Sequence, residues 1–159
     1  MSAARAQRLR AELKARGWSA RAVSVRSDRC TTDSSLYVTI RRADVRKSEV
    51  EAVARQFEQF SRDEMTGEIL LGGNTYVRVE YDDELMRELS GPLAARLHDL
   101  PRDAELEHEG WTIQHGPEHG YFRAWDESGA ERAYCYHADF AARRVTELLI
   151  EAERLAEVA

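Results

Sequence analysis

The residues best suited to chemistry gather in the C-terminal third: His115, His119, Cys135 and His137. Cys135 and His137 stand two apart on a predicted strand and share a side, while His115 and His119 flank a predicted turn. Together they are weak candidates for a zinc site. Structural zinc sites ordinarily use tighter paired spacings, and a histidine beside a turn is usually a surface or packing group. A thiol near an imidazole is also the pairing that a cysteine nucleophile needs, yet no acid is placed by the sequence to orient that imidazole. No catalytic residue is therefore assigned, and no metal or other cofactor is expected. Two further signals have plain structural readings. The loop Leu71-Gly72-Gly73-Asn74 lacks both phosphate-loop patterns and leads into a strand, so its glycines serve a turn with positive φ. Asp82, Asp83 and Glu84 suit a helix N-terminus, where carboxylates face the positive end of the dipole.

Binding chemistry is better represented. In the N-terminal half, alternation places Ser24, Arg26, Tyr37, Thr39, Arg41, Tyr76 and Arg78 on one side of predicted strands, opposite Val23, Val25, Leu36, Val38, Ile40, Val77 and Val79. Rings to stack on bases and guanidinium groups to meet phosphates or carboxylates are the tools of a contact surface. In the C-terminal part, Tyr121, Arg123 and Trp125 share one side and Phe122 and Ala124 the other. Arg26, Tyr37, Arg41, Tyr76, Arg78, Tyr121, Arg123 and Trp125 are the candidate binding residues. An ordinary wet sheet face, or burial against another part of the chain, accounts for the same pattern without a ligand.

These residues need a frame, and the spacing predicts one. Ala6, Leu9 and Leu13 mark a first helix that Gly17 stops. Strands follow over 22–27 and 35–41, with a polar link from Asp28 to Asp33. Ser48 and Glu51 form a capping box before a helix with Val50, Val53, Ala54 and Phe57 on one stripe. After a loop or short hairpin, a third strand carries Val77, Val79 and Tyr81. A helix with Leu85, Met86 and Leu89 is then interrupted at Ser90-Gly91-Pro92, and a new turn carries Leu93 and Leu97. A boundary is expected near Leu100-Pro101, followed by an acidic stretch. Three strands, over 111–115, 121–126 and 131–137, and a terminal helix with Ala141, Val145, Leu148, Leu149, Ala152, Leu155 and Ala156 complete the chain. The expectation is an α+β protein of two units: αββαβα with an antiparallel or mixed sheet over residues 1–100, and a βββα meander over 101–159.

The balance of 43% hydrophobic and 33% charged residues excludes disorder, and no apolar run approaches the roughly 18 residues of a membrane helix. The N-terminus shows no secretory h-region, so a cytoplasmic location and no membrane partner are expected. Two cysteines, Cys30 and Cys135, are too few for a disulfide framework, although one long-range bridge stays open. Residues 1–43 carry a net +7, 44–110 a net −9 and 111–159 a net −4. Such an uneven distribution is compatible with a basic face for nucleic acid and an acidic face for a basic partner, although most charge runs are only solvated surface.

The run Leu13-Lys14-Ala15-Arg16-Gly17-Trp18-Ser19-Ala20-Arg21-Ala22-Val23-Ser24-Val25-Arg26, with Ser34 to Ile40 and Thr66 to Val77, resembles small domains of the large polyvalent protein-associated class. Those domains occur in proteins of phages and other mobile elements. The resemblance spans about residues 5–85, implies an accessory role in a mobile element or its host, and transfers no catalytic residue. The leading expectation is a non-enzymatic binding or adaptor protein with a protein partner. Three alternatives stay open: single-strand nucleic-acid binding through Arg26, Tyr37, Arg41, Tyr76 and Arg78, an acidic mimic of DNA that inhibits a nuclease, and a small zinc- or cysteine-dependent hydrolase.

Overall fold

Alternating apolar residues need a cover on one side only, and helices supply it in both halves of the chain. The computed structural model describes residues 2–30, 32–117 and 120–152. The protein is α+β and divides into two units, residues 1–82 and 83–159.

The first unit begins with α1 (Ser2–Ala15), followed by the hairpin β1 (Val23–Cys30) and β2 (Asp33–Ile40), then α2 (Lys47–Ala54) and β3 (Thr75–Tyr81). The sheet is mixed. β2 lies in the centre, antiparallel to β1 and parallel to β3, with Arg26 opposite Tyr37 and Tyr37 opposite Arg78. Val23, Val25, Leu36, Val38, Ile40, Val79 and Tyr81 are buried on the inner side. Ala6, Leu9 and Leu13 of α1 and Val50, Val53 and Ala54 of α2 supply the roof, all of them below a tenth exposed. α1 lies against β1 and β2, and α2 against β3.

Helix ends in this unit are settled in two different ways. At the end of α1, Gly17 adopts φ 93°, and its N–H and that of Trp18 donate to the carbonyls of Lys14 and Leu13, which is a Schellman stop. At the start of α2 the residue in the cap position is Arg46, which makes no side-chain cap hydrogen bond, so the helix does not open on the Ser48 capping box. The buried Tyr81 hydroxyl reaches over from β3 instead. It accepts the Lys47 N–H at 3.1 Å, one of the N–H groups a helix start leaves open, and donates to the Val45 carbonyl at 3.1 Å in the chain leading into the helix.

The β1–β2 link is also shorter than its polar sequence suggested. Pairing runs on through Ser27–Leu36 to Cys30–Asp33, because a backbone ladder needs no apolar side chains once it has been started.

The second unit opens with α3 (Asp83–His98), continues through β4 (Glu105–His108), β5 (Trp111–His115), β6 (Phe122–Trp125) and β7 (Glu131–Cys135), and closes with α4 (Ala138–Glu151). The sheet is an antiparallel meander in the order β4-β5-β6-β7. Three expectations are corrected here. The division falls after Asp82 rather than near Leu100, because Leu93, Ala94 and Leu97 of α3 belong to the same buried cluster as Trp111, Ile113, Phe122, Val145 and Leu149. The meander has four strands, since the acidic stretch hides β4: Leu106 pairs with Ile113 and packs against the core, while Glu105 and Glu107 are exposed. Finally, α3 runs unbroken through Pro92.

That continuity has a local cause. A residue before proline is kept out of the helical region by clashes of the proline Cδ with its N–H and its Cβ, and Gly91 lacks the second. Ser90 Oγ donates to the Met86 carbonyl at 2.6 Å, a back-bond that accompanies helix bending. Buried Met86 and Ser90 before the proline and Leu93, Ala94 and Leu97 after it then hold both halves in one stripe. On the sheet side, Ala124, Ala133, Ala138, Ala141 and Ala142 are all buried, and their small size lets α4 approach the strands closely. Leu155 and Ala156, expected on the terminal helix, lie outside the described residues.

Two substitutions check this account by urea denaturation. Tyr81→Phe lowers stability by about 1–3 kcal/mol, since it leaves the start of α2 without its distant cap. Pro92→Ala, at an exposed position, raises stability by about 1–3 kcal/mol as a helix-interior proline is removed.

Candidate functional site

The uncovered side of the first sheet is built by the register. Arg26, Tyr37 and Arg78 form one row across the three strands, with Asp28, Ser35 and Tyr76 in the next row and Ser24, Thr39 and Glu80 on the other side. The Arg26 guanidinium lies 5.1 Å from the Tyr37 ring centroid. Tyr76 is exposed and meets Phe60 edge-on at 5.4 Å. The remaining cations have carboxylate neighbours: Arg78 stands 3.4 Å from Glu80 and Arg41 3.9 Å from Asp82. Arg26, Tyr37, Tyr76 and Arg78 thus share one open face with Arg41 beyond its end, and acids are interleaved with them.

One exposed group in this unit was not anticipated. Met65 and Leu71 are almost fully exposed, and Ile69 and Leu70 nearly half so, on a small hairpin closed by an Arg62–Ile69 bridge. Asp63 Oδ1 accepts the N–H groups of Met65 and Thr66, and these bonds hold its carboxyl below the usual range. The only sequence sign was four apolar residues in a segment too rich in turn formers to bury them.

The uncovered side of the second sheet is more aromatic. Gln114, Arg123 and Tyr134 form one row and Thr112 and Trp125 another. The Tyr121 ring stacks on Tyr134 at 5.2 Å, and Tyr134 meets Tyr136 edge-on at 5.4 Å. Tyr134 is 50%, Tyr136 61% and Phe140 62% exposed. The Arg123 guanidinium lies 5.1 Å from the Trp125 ring and pairs with Glu131, a hydrogen bond that raises its pKa. Hydrogen bonding to Tyr136, with burial and charge adding to it, raises the Tyr134 phenol above its ordinary value. Between β7 and α4 a groove of about 460 Å³ is lined by Arg132, Tyr134, Cys135, Phe140, Arg144 and Glu147, among others.

Two turns hold this face in shape. Asp126 Oδ1 accepts the Ser128 N–H and hydroxyl, and Oδ2 accepts from Arg132 Nε at 2.6 Å. Chiefly the Ser128 hydroxyl, then Arg132, holds the Asp126 carboxyl far below its usual range. Gly116 backs the Tyr121 ring so closely that a Cβ there would stand 2.2 Å from Cζ.

The histidine and cysteine set is not brought together. His115, Phe122 and Cys135 occupy one row of three neighbouring strands, which puts His115 and Cys135 two strand spacings apart, about 10 Å, with Phe122 between them. His115 stacks on Phe122 at 4.5 Å, and its Nδ1 is bonded to the Leu100 carbonyl at 2.7 Å. His137 is exposed at the start of α4 beside Phe140, and His119 lies outside the described residues. Among the described residues no three or more His, Cys, Asp or Glu side chains converge as metal ligands. Cys135 is a free thiol, and burial pushes its pKa up, the reverse of what a nucleophile needs. The glycine loop is a turn, as expected: Gly72 and Gly73 have φ 92° and 79°. Buried Asn74 bonds to Leu70, Ser61, Ser34 and Asp33.

The acidic stretch 44–110 crosses the division between the units, and Asp44, Glu49, Glu51 and Glu80 each pair with an arginine. The first unit carries a net +3 and the second a net −9. No helix among the described residues is long and apolar enough to cross a membrane.

No protein-family model matches the chain, and neither a curated protein nor a solved structure is significantly similar to it.

Acid and one side chain test that geometry. A carboxyl with a depressed folded pKa stabilises above its ordinary unfolded value, and the contribution is lost as pH falls through the folded value. Ser128→Ala therefore moves the Asp126 titration, followed by NMR, upward toward the usual carboxylate range. Gly116→Ala expels the Tyr121 ring and abolishes the near-ultraviolet circular dichroism of the Tyr121–Tyr134 stack.

Proposed function

We propose that the protein is a non-enzymatic binding or adaptor module whose C-terminal unit grips a protein partner through its outward aromatic and arginine face. The observation that carries this reading is the group of uncovered rings, Tyr134, Tyr136 and Phe140, beside a groove lined by Arg132 and Arg144. Large rings with few rotatable bonds lose little entropy on contact, and Tyr, Trp and Arg dominate binding hot spots. The partner segment that fits such a groove leads with an apolar anchor, since Arg132 and Arg144 already pair with Asp126 and Glu147.

A second reading rests on a separate observation, the Arg26 guanidinium over the Tyr37 ring on the first sheet, and gives that face to single-stranded nucleic acid. Glu80 and Asp82 beside Arg78 and Arg41 weigh against it, because a phosphate chain would have to displace or skirt them. The distribution of the acids over two units and their pairing with arginine likewise disfavour a DNA mimic. The resemblance of residues 5–85 to polyvalent protein-associated domains gives the binder a setting: an accessory component of a mobile element or its host, working in the cytoplasm.

Affinity capture from the native host with wild type and with the pair Tyr134→Ser and Tyr136→Ser tests the first reading. A direct partner is expected whose affinity falls at least about tenfold in the variant, the loss of one hot spot or more. A partner held equally by both proteins contradicts it. Anisotropy with a labelled oligonucleotide tests the second. Binding must weaken steeply between about 50 and about 200 mM salt, and no binding at the lower salt removes that reading.

A further inference from the structure

We propose that a cleft in the first unit, between Arg5 of α1 and Arg29 of β1, binds a phosphate group. The cleft holds about 230 Å³ and is lined by Arg5, Arg29, Thr32, Ser34, Gly73 and Thr75, with Asp33 and Asn74 completing the wall.

Arg5 is half-buried, and its guanidinium donates to Thr75 Oγ1 and Gln59 Oε1, both neutral oxygens. Among the described residues neither Arg5 nor Arg29 makes an ion pair, whereas Arg41 and Arg78 at the sheet face and Arg46 and Arg55 at the two ends of α2 do. A half-buried guanidinium satisfied only by neutral acceptors keeps its full positive field and several unused N–H donors. The one carboxylate in the wall, Asp33, is committed through Oδ1 to the Asn74 N–H at 3.0 Å. Two cations against one such acid leave the cleft positive.

Donor type and size point to the class of anion. Ser34 Oγ and Thr75 Oγ1 share a hydrogen bond at 3.0 Å, and the hydroxyl hydrogen not used between them rotates to suit a ligand. Guanidinium forks with adjacent hydroxyls are the donor set that tetrahedral phosphate oxygens accept from. The volume falls below the roughly 300 Å³ at which pockets begin to enclose whole drug-sized molecules, so the cleft suits the phosphate itself, free or as the end of a monoester. This site lies in the other unit from the proposed partner face, and the failure of either leaves the other standing.

Calorimetric titration of the full chain with inorganic phosphate and with methyl phosphate, against sodium chloride at equal ionic strength, tests the proposal. Saturable binding at one site is expected. Arg29→Gln weakens it about tenfold, as loss of one charge-assisted contact does, and Arg5→Gln weakens it further. Arg29 is the decisive position, because its exposed side chain makes no hydrogen bond or ion pair among the described residues, whereas Arg5 also ties α1 to Thr75 and Gln59. Arg16→Gln, just past the far end of α1, leaves the affinity unchanged. Tighter binding of inorganic phosphate assigns the site to the free ion, and tighter binding of methyl phosphate to a monoester. Phosphate binding no better than chloride, or equal losses in Arg29→Gln and Arg16→Gln, overturns the proposal.

Discussion

Everything in this protein depends on sheets that are roofed on one side only. A strand alternates with period two, so once Val23, Val25, Leu36, Val38 and Ile40 are committed to a helical roof, their neighbours must face outward. The same constraint acts in the second unit, where Leu106, Ile113, Ala124 and Ala133 make the inner row under α3 and α4. The outward rows are then free to carry side chains chosen for something other than the core. What they carry is tyrosine and arginine in both units, with Trp125 added in the second.

The two outward faces differ in how far their groups are already satisfied. On the first sheet the guanidinium groups are spent on Tyr37, Glu80 and Asp82. On the second, Arg123 and Arg132 are tied to Glu131 and Asp126, but Tyr134, Tyr136 and Phe140 each leave half or more of their surface exposed. Exposed ion pairs contribute little, about 0–1 kcal/mol each, and they are readily exchanged for a partner's charges. Exposed rings have more to gain, because each adds apolar burial on contact. This asymmetry favours protein recognition on the second unit.

Much of this was legible in the residues. The stop at Gly17, the limits of β5, the turn at Gly72-Gly73 and the sidedness of Arg26, Tyr37, Tyr76 and Arg78 follow from local rules that no distant contact overrides. What escaped depends on partners far away in the chain. The start of α2 is set by Tyr81, more than thirty positions on, and no local cap signal reports that. β4 has one inward apolar residue, Leu106, and becomes a strand only because β5 is there to pair with it. Pro92 reads as a break until its helix is seen pressed along both halves of one buried stripe. The separation of His115 from Cys135 is a matter of register, with Phe122 set between them, and register is not written in either residue's neighbourhood.

Hydroxyl-radical footprinting of the purified full chain, read by mass spectrometry, tests the sidedness of the second unit most directly. The account predicts fast oxidation of Tyr134, Tyr136 and Phe140 and protection of Trp111 and Phe122. Oxidation of the two inner rings at rates equal to the outer three would contradict it.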